Sequence, residues 1–363
     1  MKKILMVVGV LYGGGAERVV SIWASQLAQN GYDVSLLLLG RREKEYAIDE
    51  RVKIYTIAPN YEQVKNIPYL KRLKRMRAII KTVKPDVMIN FLSKMQIWMY
   101  FASFGLKIRR IETIRNNPWI IEKTYNKAAR FILKRTYIKS SAIIAQTLEQ
   151  TEYFNQKTQK KCVVIPNPIA QQYKDNPKTE YSKQITHFVA AGRITPQKNY
   201  PLMIKAFQTA CERNEDITLS IYGSGDEEYT QKMQSLVDET GLSSRIQLMG
   251  RTTDMPSVLR SADAFLMTSD FEGMPNALAE AMATGLVCIS TNCPTGPRDL
   301  IDHGKNGYLA QVGDEKEIVS AIEKATTLTQ KEAMEIGECA REKVLKLCGE
   351  DNSLKKLIDV IEG

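Results

Sequence analysis

Two glutamates, Glu272 and Glu280, lie eight positions apart in the stretch Ser269–Gly285, S-D-F-E-G-M-P-N-A-L-A-E-A-M-A-T-G. Gly273 and Pro275 turn the chain directly after Glu272, and the run Asn276–Thr284 is rich in strong helix formers. The segment reads as strand Ala264–Ser269, a turn, a helix starting near Pro275 and a stop at Gly285. The first turn of such a helix offers unpaired amides and the positive end of a dipole, a site for an anion such as a diphosphate. A carboxylate just before the helix and another inside it both reach a ligand held there. Carboxylates accept hydrogen bonds from sugar hydroxyls, so one can hold a sugar and the other a ribose. On spacing alone, an exposed loop acid and a solvated helix acid remain an equally open reading.

A second pair of charges stands at Arg193 and Lys198, in a loop between the apolar run His187–Gly192 and a helical stretch. Open parallel sheets bind ligands at the exits of their strands. A departing diphosphate concentrates negative charge, and two cations there would stabilise it. Two solvated loop charges are the plainer alternative. A glycine loop, L-Y-G-G-G-A-E-R, follows the first apolar run Lys3–Gly9 and opens a helix that closes at Gly31. It lets backbone approach a phosphate, although an ordinary turn explains it equally well in isolation.

These groups need a scaffold, and the chain supplies alternating elements. Strands are expected at Tyr32–Leu39, Lys53–Ala58, Asp86–Phe91, Ile108–Arg115, Ala142–Thr147 and Cys162–Pro166, with helical stretches between most of them. The alternation restarts at His187, with strands Ile217–Gly225, Ile246–Gly250 and Leu286–Thr291, and ends in helices Asp314–Leu347 and Asn352–Ile361. This is the pattern of doubly wound parallel sheets. A chain of 363 residues is long for one core, so two domains are expected. The polar, aperiodic stretch after Pro166-Asn167-Pro168 marks the boundary. Six cysteines without a C-x-x-C pair and two histidines suggest neither a disulfide framework nor a zinc site, and a reducing cytosol is the expectation. No apolar run of about 18 residues is present.

The stretch around Glu272 resembles the E-x7-E signature of retaining GT-B glycosyltransferases of family 4, and E-G-M-P-N-A-L-A-E-A-M-A carries the likeness. The resemblance implies an α/β fold of GT-B type: two Rossmann-like doubly wound domains with an interdomain cleft. It implies that Glu272 contacts the donor sugar, that Glu280 binds the nucleotide ribose, and that Gly273, Met274, Pro275, Asn276 and Ala277 face sugar and phosphate. G-R-I-T-P-Q-K-N resembles the motif in which Arg193 and Lys198 hold the donor diphosphate. Gly13–Gly15 matches the glycine loop beside donor and acceptor, which makes Gly14 and Gly15 candidates. Gly223 and Arg251 stand where loops wrap the base. P-N-P before the boundary and C-P-T-G-P-R-D-L at Cys293–Leu300 recur in the family too. One departure is clear. Many members carry a histidine after a strand of the first domain, whereas this chain reads I-E-T-I-R-N-N-P, so Arg115 and Asn116 are the candidates there. The resemblance implies no metal and no cofactor beyond the nucleotide sugar, and no D-x-D in metal-binding style follows a strand.

Expected boundaries are 1–169 for a basic, acceptor-side domain, 170–182 for a linker, 183–345 for the nucleotide-sugar domain, and 346–363 for a helix crossing back. Charge is unevenly placed. Residues 1–170 hold 30 Lys and Arg against 12 Asp and Glu, a net of +18. The totals of 51 and 41 leave 21 against 29, a net of −8, for residues 171–363. Lys65–Lys84 carries eight basic residues and no acid, with Leu73, Met76, Ile80 and Val83 at helical spacing. Lys123–Lys139 is a second basic segment. The plain reading is surface helices with solvated basic faces; the functional reading adds contact with anionic lipid headgroups. A nucleic-acid partner is not expected, since no recognition motif accompanies the charge. The expectation is a peripheral enzyme on the cytoplasmic face, transferring a hexose or N-acetylhexosamine, with UDP favoured as carrier, to a lipid-linked or polysaccharide acceptor. The alternatives are a GT-B-like nucleotide-sugar epimerase and a GDP-sugar-dependent transferase.

Overall fold

The computed structural model describes residues 2–43, 45–175 and 177–363. It divides into two compact units, Met1–Pro168 with Glu350–Gly363, and Ile169–Gly349.

The first unit is built on a seven-stranded sheet. Its strands are β1 (Lys3–Val7), β2 (Asp33–Leu38), β3 (Lys53–Thr56), β4 (Val87–Asn90), β5 (Arg109–Thr113), β6 (Ala142–Ala145) and β7 (Cys162–Val164). They lie in the order β3-β2-β1-β4-β5-β6-β7, all parallel. The inner strands are continuous apolar runs because both faces are covered. Helix Gly15–Gln29 packs Val19, Val20, Trp23 and Leu27 onto one face, joined by Leu357 and Ile361 of the final helix Glu350–Glu362. Helices Tyr69–Val83, Ser93–Ala102 and Lys127–Lys139 cover the other face through Met76, Ile80, Trp98, Met99, Leu133 and Tyr137. Strand order reverses between β1 and β4, and a crevice forms at such a switch point.

The second unit repeats the plan with six strands: β8 (His187–Ala191), β9 (Thr218–Tyr222), β10 (Ile246–Gly250), β11 (Ala264–Met267), β12 (Val287–Thr291) and β13 (Tyr308–Ala310). Their order is β10-β9-β8-β11-β12-β13, again parallel. The switch point lies between β8 and β11, so the loops carrying Arg193–Lys198 and Ser269–Pro275 are neighbours.

Three expectations change. Most strands are one to three residues shorter than expected at their ends, where the chain leaves the ladder for the loops. The expected helix Asp314–Leu347 is two helices, Glu315–Thr326 and Gln330–Cys348, because Thr329 starts afresh with a capping box closed by Glu332. The stretch expected as a linker, 170–182, is not free chain, although its Asn176 lies outside the described residues. Tyr173 and Tyr181 are buried in the second unit. Tyr181 Oη donates to Gly285 O at 2.7 Å, and Lys178 Nζ donates to Ala262 O at 2.8 Å. Two tyrosines in an otherwise polar stretch anchor it.

Candidate active site

In the second unit the loop after β8 turns through a short 3-10 segment, Pro196–Lys198, into helix Tyr200–Arg213. Asn199 sits in the left-handed region at φ 47°. Its side chain accepts from Leu202 N, capping that helix, and its Nδ2 donates to Asp270 Oδ1 at 2.7 Å. Asp270 N donates to Gln197 O at 2.9 Å, and Thr268 Oγ1 donates to Lys198 O at 3.1 Å. The loops that leave β8 and β11 are thus sewn together by their own hydrogen bonds.

This stitching sets Lys198 Nζ 2.6 Å from Glu272 Oε1, with both side chains mostly shielded from solvent. Ser269 Oγ donates to the same oxygen at 2.7 Å, and Gln197 Nε2 reaches Phe271 O at 2.8 Å. Thr295 Oγ1 donates to the Glu272 carbonyl from below. Thr295 itself is held at φ 65°, and Gly296 follows at φ 94°. A Cβ on Gly296 would lie 2.5 Å from Pro275 Cδ and 2.9 Å from Gly273 O, so only glycine lets this turn pack under Gly273–Pro275. Burial pushes the neighbouring Cys293 thiol up to about 12, which leaves it an inert packing group.

Helix Asn276–Thr284 begins at Pro275 with no side-chain cap and ends at Gly285 in the left-handed region, φ 94°. Glu280 is buried within it. Arg193 is exposed and makes no hydrogen bond or ion pair among the described residues. The glycine turn after β9 lies directly on Arg193's loop: a Cβ at Gly223 would sit 1.8 Å from Gly192 O, and one at Gly225 1.9 Å from Ile194 O. Gly223 N donates to Gly250 O at 2.7 Å, which places Arg251 at the neighbouring strand exit. The second unit therefore gathers Arg193, Lys198, Gly223, Arg251, Glu272, Gly273, Met274, Pro275, Asn276, Ala277 and Glu280 along the carboxyl ends of β8, β9, β10 and β11.

The remaining candidates lie in the first unit. Gly14 caps helix Gly15–Gln29 without a side chain, and the Glu17 carboxylate occupies the space a Cβ at Gly14 would need, 2.0 Å away. At the exit of β5 the Arg115 guanidinium lies over Trp23 and Phe91, 4.6 and 4.7 Å from their ring centres. Its Nη1 donates to Asn167 Oδ1 at 2.9 Å, and its Nε and Nη2 are buried with no hydrogen-bond partner among the described residues. Burial lowers its pKa to about 9. Asn116 Oδ1 accepts from Asn117 N at 2.7 Å.

The Glycosyl transferases group 1 model matches residues 172–343, and the Glycosyltransferase Family 4 model matches residues 13–172. The chain is a GT-B glycosyltransferase of the family 4 type. An uncharacterized glycosyltransferase of Haemophilus influenzae is 26% identical to it, over 89% of this chain and 90% of that protein. The Campylobacter jejuni GalNAc-alpha-(1->4)-GalNAc-alpha-(1->3)-diNAcBac-PP-undecaprenol alpha-1,4-N-acetyl-D-galactosaminyltransferase is 24% identical, over 89% and 88%. In fold, the crystal structure of Anabaena HepE in complex with UDP and glucose superposes with a TM-score of 0.82 over 100% of both chains, at 16% identity.

Sequence reasoning about this glycosyltransferase missed Ser269, Gln197 and Thr295, which hold Glu272. Ser269 was within reach, since a hydroxyl three residues before an acid across a glycine turn is a local pattern. Thr295 gives no such signal, because its contact depends on β11 and β12 being neighbours. Asn167 stands out in the sequence only as part of P-N-P; its place as the Arg115 acceptor, shared with Gln146 Nε2 at 2.8 Å, is a long-range feature.

Proposed function

We propose that this glycosyltransferase moves a hexose or N-acetylhexosamine from a UDP-sugar to a lipid-linked acceptor, with retention of anomeric configuration, in the building of a bacterial surface glycan. The observation that carries the reading is the contact of Lys198 with Glu272 beside the uncapped start of helix Asn276–Thr284. One anion-binding and one hydroxyl-binding group stand within a single hydrogen bond of each other, as a sugar diphosphate requires.

In this reading the donor diphosphate lies against Arg193, Lys198 and the amides near Met274–Asn276, and Glu280 takes the ribose. Glu272 orients the sugar hydroxyls. The C1–O bond to the diphosphate breaks, and negative charge grows on the departing oxygen, where Arg193 and Lys198 stabilise it. The acceptor hydroxyl bonds to C1 on the same face, and its proton leaves with the diphosphate. No metal or other cofactor is assigned a role.

UDP as carrier is supported by the complex of the Anabaena structural neighbour with UDP and glucose. A lipid-diphosphate acceptor is supported by the name of the Campylobacter relative and by the positive charge of residues 1–170. Among the described residues no helix is long and apolar enough to cross a membrane. Attachment to the inner membrane face would come through the basic segments Lys65–Lys84 and Lys123–Lys139.

The deciding experiment is protection against thermal unfolding by a panel of nucleotides and nucleotide sugars, repeated with Glu280→Ala. UDP and one UDP-sugar should each stabilise the wild type, by ~2.7 kcal/mol at a hundredfold excess over Kd, and the variant should lose the effect. Stabilisation by GDP-sugars alone would overturn the donor. Turnover of the sugar nucleotide to an epimer with no acceptor present would overturn the transfer.

A further inference from the structure

The basic segments of the first unit do not present their charge uniformly. Four of their arginines, Arg72, Arg75, Arg77 and Arg130, are held by backbone carbonyls. Arg72 Nε donates to Ile67 O at 2.6 Å and its guanidinium lies over Trp98. Arg75 Nη1 donates to Ile57 O at 2.6 Å. Arg77 Nη1 donates to Ala102 O and Phe104 O at 2.9 and 2.8 Å. Arg130 Nε donates to Tyr125 O at 2.7 Å. What remains outside is mostly lysine: Lys65, Lys71, Lys74, Lys81, Lys84, Lys127 and Lys139 are exposed, together with Arg135.

Between these lysines stand large apolar side chains that the fold leaves in water. Leu70 is 71% exposed, Phe104 73% and Phe131 66%, with Tyr69, Phe101 and Ile138 near 40%. They lie on or beside the helices that cover one face of the first sheet. Helices Tyr69–Val83 and Lys127–Lys139 both pack against Ser93–Ala102. Tyr69 meets Trp98 edge-on at 5.8 Å, and Tyr100 meets Phe101 at 5.7 Å. Arg110 lies over Tyr100 and donates to Lys139 O, beside Ile138. Arg77 pins the turn that projects Phe104, so this ring is held outward by design of the backbone. A lone exposed apolar residue needs no explanation. A lysine-bordered group of them on one face does.

We propose that this face enters a lipid bilayer, with Leu70, Phe101, Phe104, Phe131 and Ile138 reaching the acyl boundary and the lysines resting among anionic headgroups. The proposal rests on the membrane reading above and replaces a purely electrostatic contact with an insertion surface of fixed orientation. Charge complementarity selects the occupant. Between Ile67 and Ile111 the sequence holds one acid, Asp86, and between Lys123 and Lys139 none. A second copy docking by the same face would set lysine against lysine, whereas an anionic bilayer neutralises them and solvates the rings.

The test uses the full chain and vesicles of phosphatidylcholine with and without phosphatidylglycerol, in a flotation assay at low salt and at 1 M salt, where screening acts within about 3 Å. Wild type should float with anionic vesicles at low salt and keep part of its binding at 1 M. Leu70→Ser with Phe104→Ser, and separately Phe131→Ser, should bind at low salt but lose about tenfold or more of the salt-resistant partitioning. Replacing Lys71, Lys74 and Lys81 by Gln should do the reverse, weakening the low-salt binding. UDP protection of the same variants should be unchanged, and its loss in the wild type would strike the donor reading instead. Apolar variants that float like wild type at 1 M salt would overturn the proposal. So would a wild-type dimer by light scattering that Phe104→Ser dissolves, which would make a second copy the occupant.

Discussion

Lys198 Nζ and Glu272 Oε1 are 2.6 Å apart, in a pair whose carboxylate is almost fully shielded and whose ammonium is mostly so. The two groups proposed to meet diphosphate and sugar are bonded to each other. Donor binding would thus exchange one set of charge-assisted hydrogen bonds for another rather than strip bare ions of water.

The pair predicts a contrast between the two cations. Lys198→Met leaves Glu272 buried and uncompensated, and should lower stability by about 3–5 kcal/mol as well as abolish transfer. Arg193→Ala removes an exposed side chain without partners and should shift stability within about 0.5 kcal/mol, while cutting kcat about a hundredfold. Denaturant unfolding beside initial rates separates the two. Equal loss of stability in both variants would mean that Arg193 has a structural contact.

Gly223 offers a backbone test. A methyl group there would stand 1.8 Å from Gly192 O, so Gly223→Ala must push the β9 turn away from the loop that carries Arg193. Nucleotide affinity should fall about tenfold or more, read by titration calorimetry, while Gly241→Ala, where a Cβ meets nothing within 4 Å, should leave affinity intact. Gly223 lies at φ 159° and Gly241 at φ 69°, so each variant carries its own backbone strain, and nucleotide affinity rather than stability is the quantity to compare.

Much of this was legible in the chain, and the reason is locality. Apolar runs alternating with amphipathic stretches are enough to read two doubly wound sheets, and Glu272, Glu280, Arg193 and Lys198 each sit in a short motif whose turn chemistry is self-contained. Contacts that depend on strand order were not legible. Nothing near Thr295 says that its hydroxyl will meet the Glu272 carbonyl, and nothing near Arg77 says that it will bind Phe104 O rather than face solvent. Periodicity marks Leu73, Met76, Ile80 and Val83 as the inner stripe of their helix but is silent on which basic residues the neighbouring helix ends will capture.

Chelation tests the source of positive charge. If Arg193, Lys198 and the helix start carry the leaving diphosphate, EDTA should leave the transfer rate unchanged and added magnesium should not raise it. A rate that collapses with EDTA and returns with a divalent ion would reassign the leaving-group charge to a metal.

The last prediction concerns pH and the first unit. Glu112 on β5 is fully buried; its Oε1 accepts from Asn90 Nδ2 at 3.2 Å and its Oε2 has no partner among the described residues. Burial pushes its pKa up to about 7 from the ordinary 4.5, against the opposing pull of Arg110 and the Asn90 bond. Around it Tyr137, from helix Lys127–Lys139, is pushed above its ordinary range by burial and stays neutral. A carboxyl with a raised folded pKa binds its proton more tightly in the folded state, so its stabilisation is complete below about 4.5 and is lost as pH rises through about 7. The loss is on the order of 3 kcal/mol. All three tryptophans, Trp23, Trp98 and Trp119, lie in this unit, so tryptophan fluorescence during denaturant unfolding reports on it alone. Wild type should be less stable at pH 8.5 than at pH 5.5, and Glu112→Gln, which keeps the shape without the charge, should flatten the difference. A pH dependence that persists in Glu112→Gln would place its source in another group.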